Sequence, residues 1–448
     1  DLHSFPTRRS SDLPTEYLLI LLFLVLLFSE MLGMRIGIVQ GVSIKNLLIY
    51  LLLILISFGG INARSKGEVA VSIKVFHFLF ISLILLAFLS WLFADIQGPM
   101  NLAYTKSDRF TALKGLLIDN YLFFIVYYYS LTRIKDAMFV LKCILVLISI
   151  TTVITVIDVY DIPDLGIIKQ MEDNEAGRGR IQGPLGEPNQ YAAFLVLFMP
   201  IYIAFAKIEK GIFHYFCAAS ILLMAIVFVL TGSRGGLVGL ICGVLIGIGI
   251  FWKYIRIRKI ISYAIIGSVV IFFVLSIAFY KYSDVLVGRI EATTNAGDAV
   301  EISAGRLWIW EQGINQMNSN VGSYLYGMGW YTYKGIVGVN SHNTYLAWLF
   351  ELGILGLFLN IFIICNILKV ILKDVYFVDT YTRVLIGGFV FGYVGLLVAV
   401  FFVNLFNPWV FIWAYIGLIM RIINLMKCKP TVTEACSTIR LRAEYNHF

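Results

Sequence analysis

The chain has 448 residues, 60% of them hydrophobic and 14% charged, with a mean hydropathy of +0.86. This composition excludes a soluble globular domain, and repeated runs of about 18 or more apolar residues read as membrane-spanning helices. The alternating segments of about ten residues that mark a membrane barrel are absent, and the net charge of +8 comes without the basic, aromatic-interleaved tracts of a nucleic-acid reader.

The opening residues, DLHSFPTRRSSDL, carry no initiator methionine and read as a foreign leader, so 1–13 are set aside. A membrane domain is expected over 14–426, with predicted spans at 16–33, 45–61, 69–93, 114–131, 137–158, 189–206, 213–231, 236–252, 260–279, 343–368, 384–403 and 408–426. Residues 427–448 are expected to form a tail. The fold class is therefore all-α, polytopic, with about twelve transmembrane helices.

Lysine and arginine set the expected orientation. The even-numbered loops hold 13 Lys or Arg in 42 residues, with WKYIRIRK (252–259) as the strongest anchor, whereas the odd-numbered loops hold 12 in 136. Even loops and both termini are thus expected to be cytoplasmic, and odd loops outward. Two odd loops are long, 159–188 and 280–342, and long loops in a compact chain are where function is expected. The second should form a partly helical subdomain through GRLWIWEQGINQM (305–317), a lid on the outer face. All six cysteines fall in spans or on the cytoplasmic side, so no outer disulfide is expected, and there is no CxxC or metal-ligand cluster.

The polar residues at outward boundaries are the candidate site. Among five histidines only His342, in NSHNT (340–344), lies there. A histidine titrates near neutrality and can act as a general base, or it can be one more polar residue at a helix start. Arg180 in GRGRIQGPLGEPNQYAAF (177–194), Arg234 in TGSRGG (231–236) and Arg306 in SAGRLWIWEQG (303–313) run against the outward charge bias. Guanidinium forks suit phosphate; headgroup contacts or ion pairs with Glu187, Glu301 or Glu311 are the alternative. Glu187 reads as a base, a sugar ligand or a helix-start acid before Pro188. Glu351, about 13 Å further along a span than His342, needs a partner or a wet cavity there and is expected to pair with a neighbouring helix.

Taken in order, GRGRIQGPLGEPNQYAAF, TGSRGG, AGRLWIW, LYGMGWYTY and SHNTYLAWLFELGILG resemble the O-antigen ligase family, the ligase and polymerase superfamily of lipid-linked glycans, over nearly the whole chain. The resemblance implies a GT-C-like membrane glycosyltransferase with a large outer loop between its ninth and tenth helices. It implies transfer of a preassembled glycan from an undecaprenyl-diphosphate carrier to an acceptor hydroxyl, on lipid A-core or another surface molecule, without metal or cofactor. By motif, Arg180 and Arg234 would grip the diphosphate, Arg306 would contact it or brace the loop, and His342 would activate the acceptor. Asn189, Asn343 and Glu187 would support them. The enzyme would lie in a bacterial cytoplasmic (inner) membrane with its site outward, and membrane lipids but no nucleic acid as partners. A polymerase using a second carrier-linked glycan, a protein-directed transferase and a flippase for lipid-linked glycans are the alternatives; flippases place ionisable groups mid-membrane, where these spans are nearly charge-free.

Overall fold

The computed structural model describes residues 15–31, 37–39, 42–58, 71–93, 105–160, 180–254, 297–373, 375–404 and 410–427, with short pieces between 267 and 295. The predicted leader, most of the ninth span, Arg178, Cys428, Cys436 and the tail beyond 427 lie outside them. Among the described residues, eight helices are long and apolar enough to cross a membrane, and three shorter ones over 15–29, 44–57 and 234–250 are equally apolar. These match eleven of the twelve predicted spans, and the protein is an all-α, multi-pass membrane protein.

The helices are α1 (Thr15–Met31), α2 (Ile44–Phe58), α3 (Val71–Phe93), α4 (Lys106–Leu113), α5 (Asp119–Tyr129), α6 (Ile134–Val159), α7 (Pro188–Ile208), α8 (Ile212–Leu230) and α9 (Arg234–Ile250). After them come the short loop helices α10 (Ala299–Ile302), α11 (Arg306–Asn318), α12 (Ser323–Tyr326) and α13 (Tyr333–Val337). The chain then returns through α14 (Thr344–Leu372), α15 (Thr380–Ala399) and α16 (Val410–Lys427). A two-stranded antiparallel ribbon, Gly37–Val39 with Val42–Ser43, precedes α2. The fourth span begins earlier than its apolar run. A capping box between Thr105 and Asp108 starts α4, and a π-turn over Lys114–Ile118 joins it to α5.

Helix packing in a membrane has little hydrophobic drive, so close backbone approach at small residues matters more. Here α15 lies between α7 and α9. A Cβ on Gly239 or Gly243 would come within 2.6 Å of carbonyl oxygens of α15, and one on Gly392 would strike the Leu197 carbonyl of α7. Gly417 brings α16 equally close to the Phe124 carbonyl of α5. Gly392→Ala should accordingly destabilise the fold by about 1–3 kcal/mol, because the clash is with backbone that cannot rotate away. Thermal unfolding in detergent checks this; an unchanged midpoint would contradict the packing.

α14 is not continuous. Gly353 has φ 65° and ψ −169°, so a segment over 344–352 meets the membrane helix proper at a break. Glu351 therefore lies at a helix break and not within an unbroken span. The loop helices pack around this break, and part of the loop, 325–330, lies directly against it. The expected lid is thus also an insertion. All four described cysteines, Cys143, Cys217, Cys242 and Cys365, are free thiols.

Candidate functional site

Three helices begin at the same polar end of the bundle, each with a side-chain cap. The Glu187 carboxylate caps α7, accepting from the backbone N–H groups of Asn189 (3.1 Å) and Gln190 (2.6 Å), with Pro188 at the first position. The Ser233 hydroxyl caps α9, accepting from Gly236 N–H at 3.1 Å. The Asn343 side chain caps α14, accepting from Leu346 N–H at 3.0 Å. The remaining first-turn N–H groups and the positive ends of three helix dipoles favour anions at this end.

Arg180, only 7% exposed, ties the first two caps together. Its Nε donates to the Thr231 carbonyl and its Nη2 to Asn189 Oδ1, both at 2.9 Å. Ser233 Oγ donates to the same Asn189 oxygen at 2.9 Å, and Asn189 Nδ2 donates to Glu187 Oε1 at 2.6 Å. The guanidinium thus fixes the TGSRGG turn against the GEPN turn, and the partly buried Arg234, first residue of α9, follows Ser233 in that braced turn. Gly235 has no room for a side chain, since a Cβ there would lie 2.5 Å from Phe402 Cβ.

The turn after α15 carries the connection to the third cap, through a residue the sequence reading did not single out. Asn404, 9% exposed, accepts at Oδ1 from Ser341 Oγ (2.6 Å) and from Asn343 N–H (3.1 Å), and its backbone carbonyl accepts from Gln190 Nε2 (3.3 Å). Thr344 docks on the same turn, its N–H on the Val400 carbonyl and its hydroxyl on the Val403 carbonyl. The signal was there: FFVNLFNP (401–408) sets asparagines, Asn404 first, at the end of an apolar span. With no charge in it, nothing marked it as part of a site.

His342 immediately precedes the cap of α14 and has φ 48°. A left-handed non-glycine residue costs about 1–3 kcal/mol and persists only where its surroundings impose it. Ser341, fully buried, is held from both sides. Its hydroxyl binds Asn404 and its carbonyl accepts from Trp310 Nε1 at 2.8 Å. Trp310 lies one turn after Arg306 on α11, so the helix that anchors the backbone before His342 also presents Arg306 to it. Burial lowers the His342 pKa below its ordinary value, the Arg306 charge lowers it further, and Glu187 opposes them. At neutral pH the imidazole is therefore uncharged and able to accept a proton.

The structure thus brings Arg180, Glu187, Asn189, Asn343, Arg306 and His342 into one connected region, with Arg234 at its edge. Glu187 is a helix cap with both carboxylate oxygens engaged, and Asn343 is a cap as well, which are the structural alternatives the sequence left open for that region. Glu351 is separate. Its Oε1 accepts from Tyr333 N–H of the inserted loop at 3.3 Å, and Arg109 of α4 is the cation that acts on it. Beside the cap of α14, Thr344, Trp348 and Trp330 border a cavity of about 110 Å³ that continues between α3, α14, α15 and α16 along Phe80, Leu396 and Ile416. Among the described residues, no three His, Cys, Asp or Glu side chains group as a metal-ligand set.

Residues 219–361 match the family described as O-antigen ligase. The match runs from within α8 to within α14, taking in Arg234, Arg306, His342, Asn343 and Glu351, while Arg180, Glu187 and Asn189 precede it. No curated protein matches the chain. The matched stretch holds four of the five motifs on which the resemblance rests and two of the three converging helix starts, so over those residues this multi-pass chain is similar to the O-antigen ligase family.

Proposed function

We propose that this ligase- or polymerase-type enzyme is a glycosyltransferase that moves a preassembled glycan from an undecaprenyl-diphosphate carrier to an acceptor hydroxyl. The observation that carries the reading is the convergence of three capped helix starts, three arginines and His342 at one end of the bundle. Arg180 and Arg234 hold the diphosphate, with Arg306 contacting it from α11. The apolar cavity beside Thr344 receives part of the isoprenoid chain. Asn189, Glu187 and Asn343 keep the helix starts in register.

In the reaction, His342 takes the proton of the acceptor hydroxyl as its oxygen attacks the anomeric carbon. The bond from that carbon to the diphosphate oxygen breaks, and the fixed guanidinium groups and helix starts stabilise the charge that develops on the leaving group. A single displacement inverts the anomeric configuration. The charge pattern of the loops supports a site facing outward with both termini inside, and the proposed carrier would put the enzyme in the cytoplasmic membrane.

The acceptor decides between ligase and polymerase. Purified protein is supplied with a synthetic undecaprenyl-diphosphate oligosaccharide, with and without lipid A-core, and products are read by mass spectrometry. Glycan on lipid A-core is the expected result for a ligase, and elongation of the carrier-linked chain alone assigns a polymerase. Movement of intact donor across a bilayer without transfer would overturn the enzyme reading. EDTA should leave the rate unchanged, since the proposed stabilisation comes from arginines; inhibition reversed by a divalent cation would contradict this assignment.

A further inference from the structure

A second buried polar cluster lies behind the site, at the break in α14, and the proposed chemistry does not use it. With the helix broken at Gly353, the carbonyls of Phe350 and Glu351 accept instead from the N–H groups of Met328 (2.7 Å) and Gly329 (3.2 Å) in the inserted loop. Ser90 of α3 stitches both strands, donating to the Glu351 carbonyl at 3.3 Å and accepting from Trp330 N–H at 2.9 Å. Neither Gly327 nor Gly353 could carry a Cβ, which would lie 2.4 Å or less from backbone of the opposite segment. Two buried ionisable side chains hold the next residues of the loop. Arg109 of α4, 3% exposed, donates from Nε to the Trp330 carbonyl at 2.8 Å. Glu351, 2% exposed, accepts from Tyr333 N–H, and Arg109 is the cation that acts on it.

From there the contacts lead to the site. The backbone between Trp330 and Tyr333 passes through Tyr331 at φ 57°, a left-handed turn that requires support from both flanks. The Tyr333 hydroxyl donates to the Ile309 carbonyl of α11 at 2.8 Å, and Gly313 of α11 lies so close to that hydroxyl that a Cβ would meet it at 2.6 Å. α11 then supplies Arg306 and the Trp310 bond to Ser341.

We infer that Arg109 and Glu351 are positioning residues: by clamping the loop backbone at Trp330 and Tyr333 they set, through Tyr333, where α11 holds Arg306 relative to His342. The effect on transfer rests on the function proposed above, so the test has an arm that does not depend on it. Removing one of two neighbouring buried polar side chains leaves the other without compensation, so the main variant is the double R109M/E351L, with E351Q alone as the milder one. In detergent or nanodiscs, hydrogen–deuterium exchange should quicken about tenfold in peptides covering 306–318 while α7 and α9 keep wild-type protection. Unchanged exchange in 306–318, or quickening everywhere alike, would overturn the inference.

The second arm is the pH profile of transfer. Arg306 from α11 and Glu187 from the α7 cap are the charged groups that act on His342. If α11 moves away, the acid-side midpoint rises in the same direction as in Arg306→Ala, and the E351Q shift disappears in the Arg306→Ala background. Additive shifts would overturn the proposed route through Arg306. A wild-type protein that shows no transfer would instead count against the functional reading, and exchange alone would then decide on the clamp.

Discussion

His342→Ala should lower the rate of glycan transfer by about 10²–10⁴-fold, the usual contribution of a positioned general base, while the protein still inserts and unfolds at its normal temperature. The argument rests on geometry first. His342 is held in a left-handed conformation between a buried Ser341 and the cap of α14, so its backbone has a fixed place at the polar end of the bundle. Its protonation state follows from its neighbours. Burial and the Arg306 charge depress the pKa below the ordinary value of about 6.5. Imidazolium cannot accept a proton, so transfer falls as pH falls, with a midpoint below about 6.5. Removing a cation that lowers the pKa raises it, so Arg306→Ala moves that midpoint up. Glu187→Gln removes the opposing negative charge and moves it down. Full activity in His342→Ala would remove the histidine from the mechanism. Glu187 is then a poor substitute, because its oxygens cap α7 and bind Asn189.

The spans were legible because a membrane helix must be apolar along its whole length, and that pattern survives any tertiary arrangement. The helix start at Asn343 was legible for a similar reason, since NSHNT consists of cap-forming residues placed before an apolar run. What could not be read was anything set by which helix neighbours which. Asn404 joins two motifs more than 150 residues apart, and only the packing of α15 between α7 and α9 brings its amide to Ser341 and Gln190. Gly353 looks like one more small residue in a run of leucines and isoleucines. Its positive φ becomes apparent only once the loop around Gly327 occupies the space where a helix would continue. Glu351 was read as an acid in need of a partner; Arg109 of α4 acts on it, and the break also lets it bind loop backbone, which the sequence did not reveal. The arginines were recognised from their charge against the outward bias, but the sequence did not distinguish their roles. Arg180 proves to be the one that is nearly fully buried and braced by two described hydrogen bonds.

That difference leads to the second large effect. Arg234→Ala should reduce kcat/KM by about 10²–10³-fold, the scale of losing one preorganised group aimed at developing charge. Arg180→Lys should be nearly as damaging for another reason. The Arg180 fork bridges Thr231 and Asn189 from two nitrogens at a fixed spacing, which a single ammonium cannot reproduce. Without it the turn bearing Ser233 and Arg234 loses its brace against the α7 cap. Arg234→Lys keeps a point charge on an intact turn and should therefore recover part of the activity, whereas the Arg180→Lys loss should persist at saturating donor. The kinetic split tells the two roles apart. An interaction made only in the transition state lowers kcat and kcat/KM together, while uniform binding of the diphosphate raises the donor KM at constant kcat. If Arg234→Ala changes only KM, the arginine holds the carrier without assisting departure of the diphosphate. The stabilisation must then come from Arg306 and the helix starts, and Arg306→Ala would be the variant whose kcat collapses.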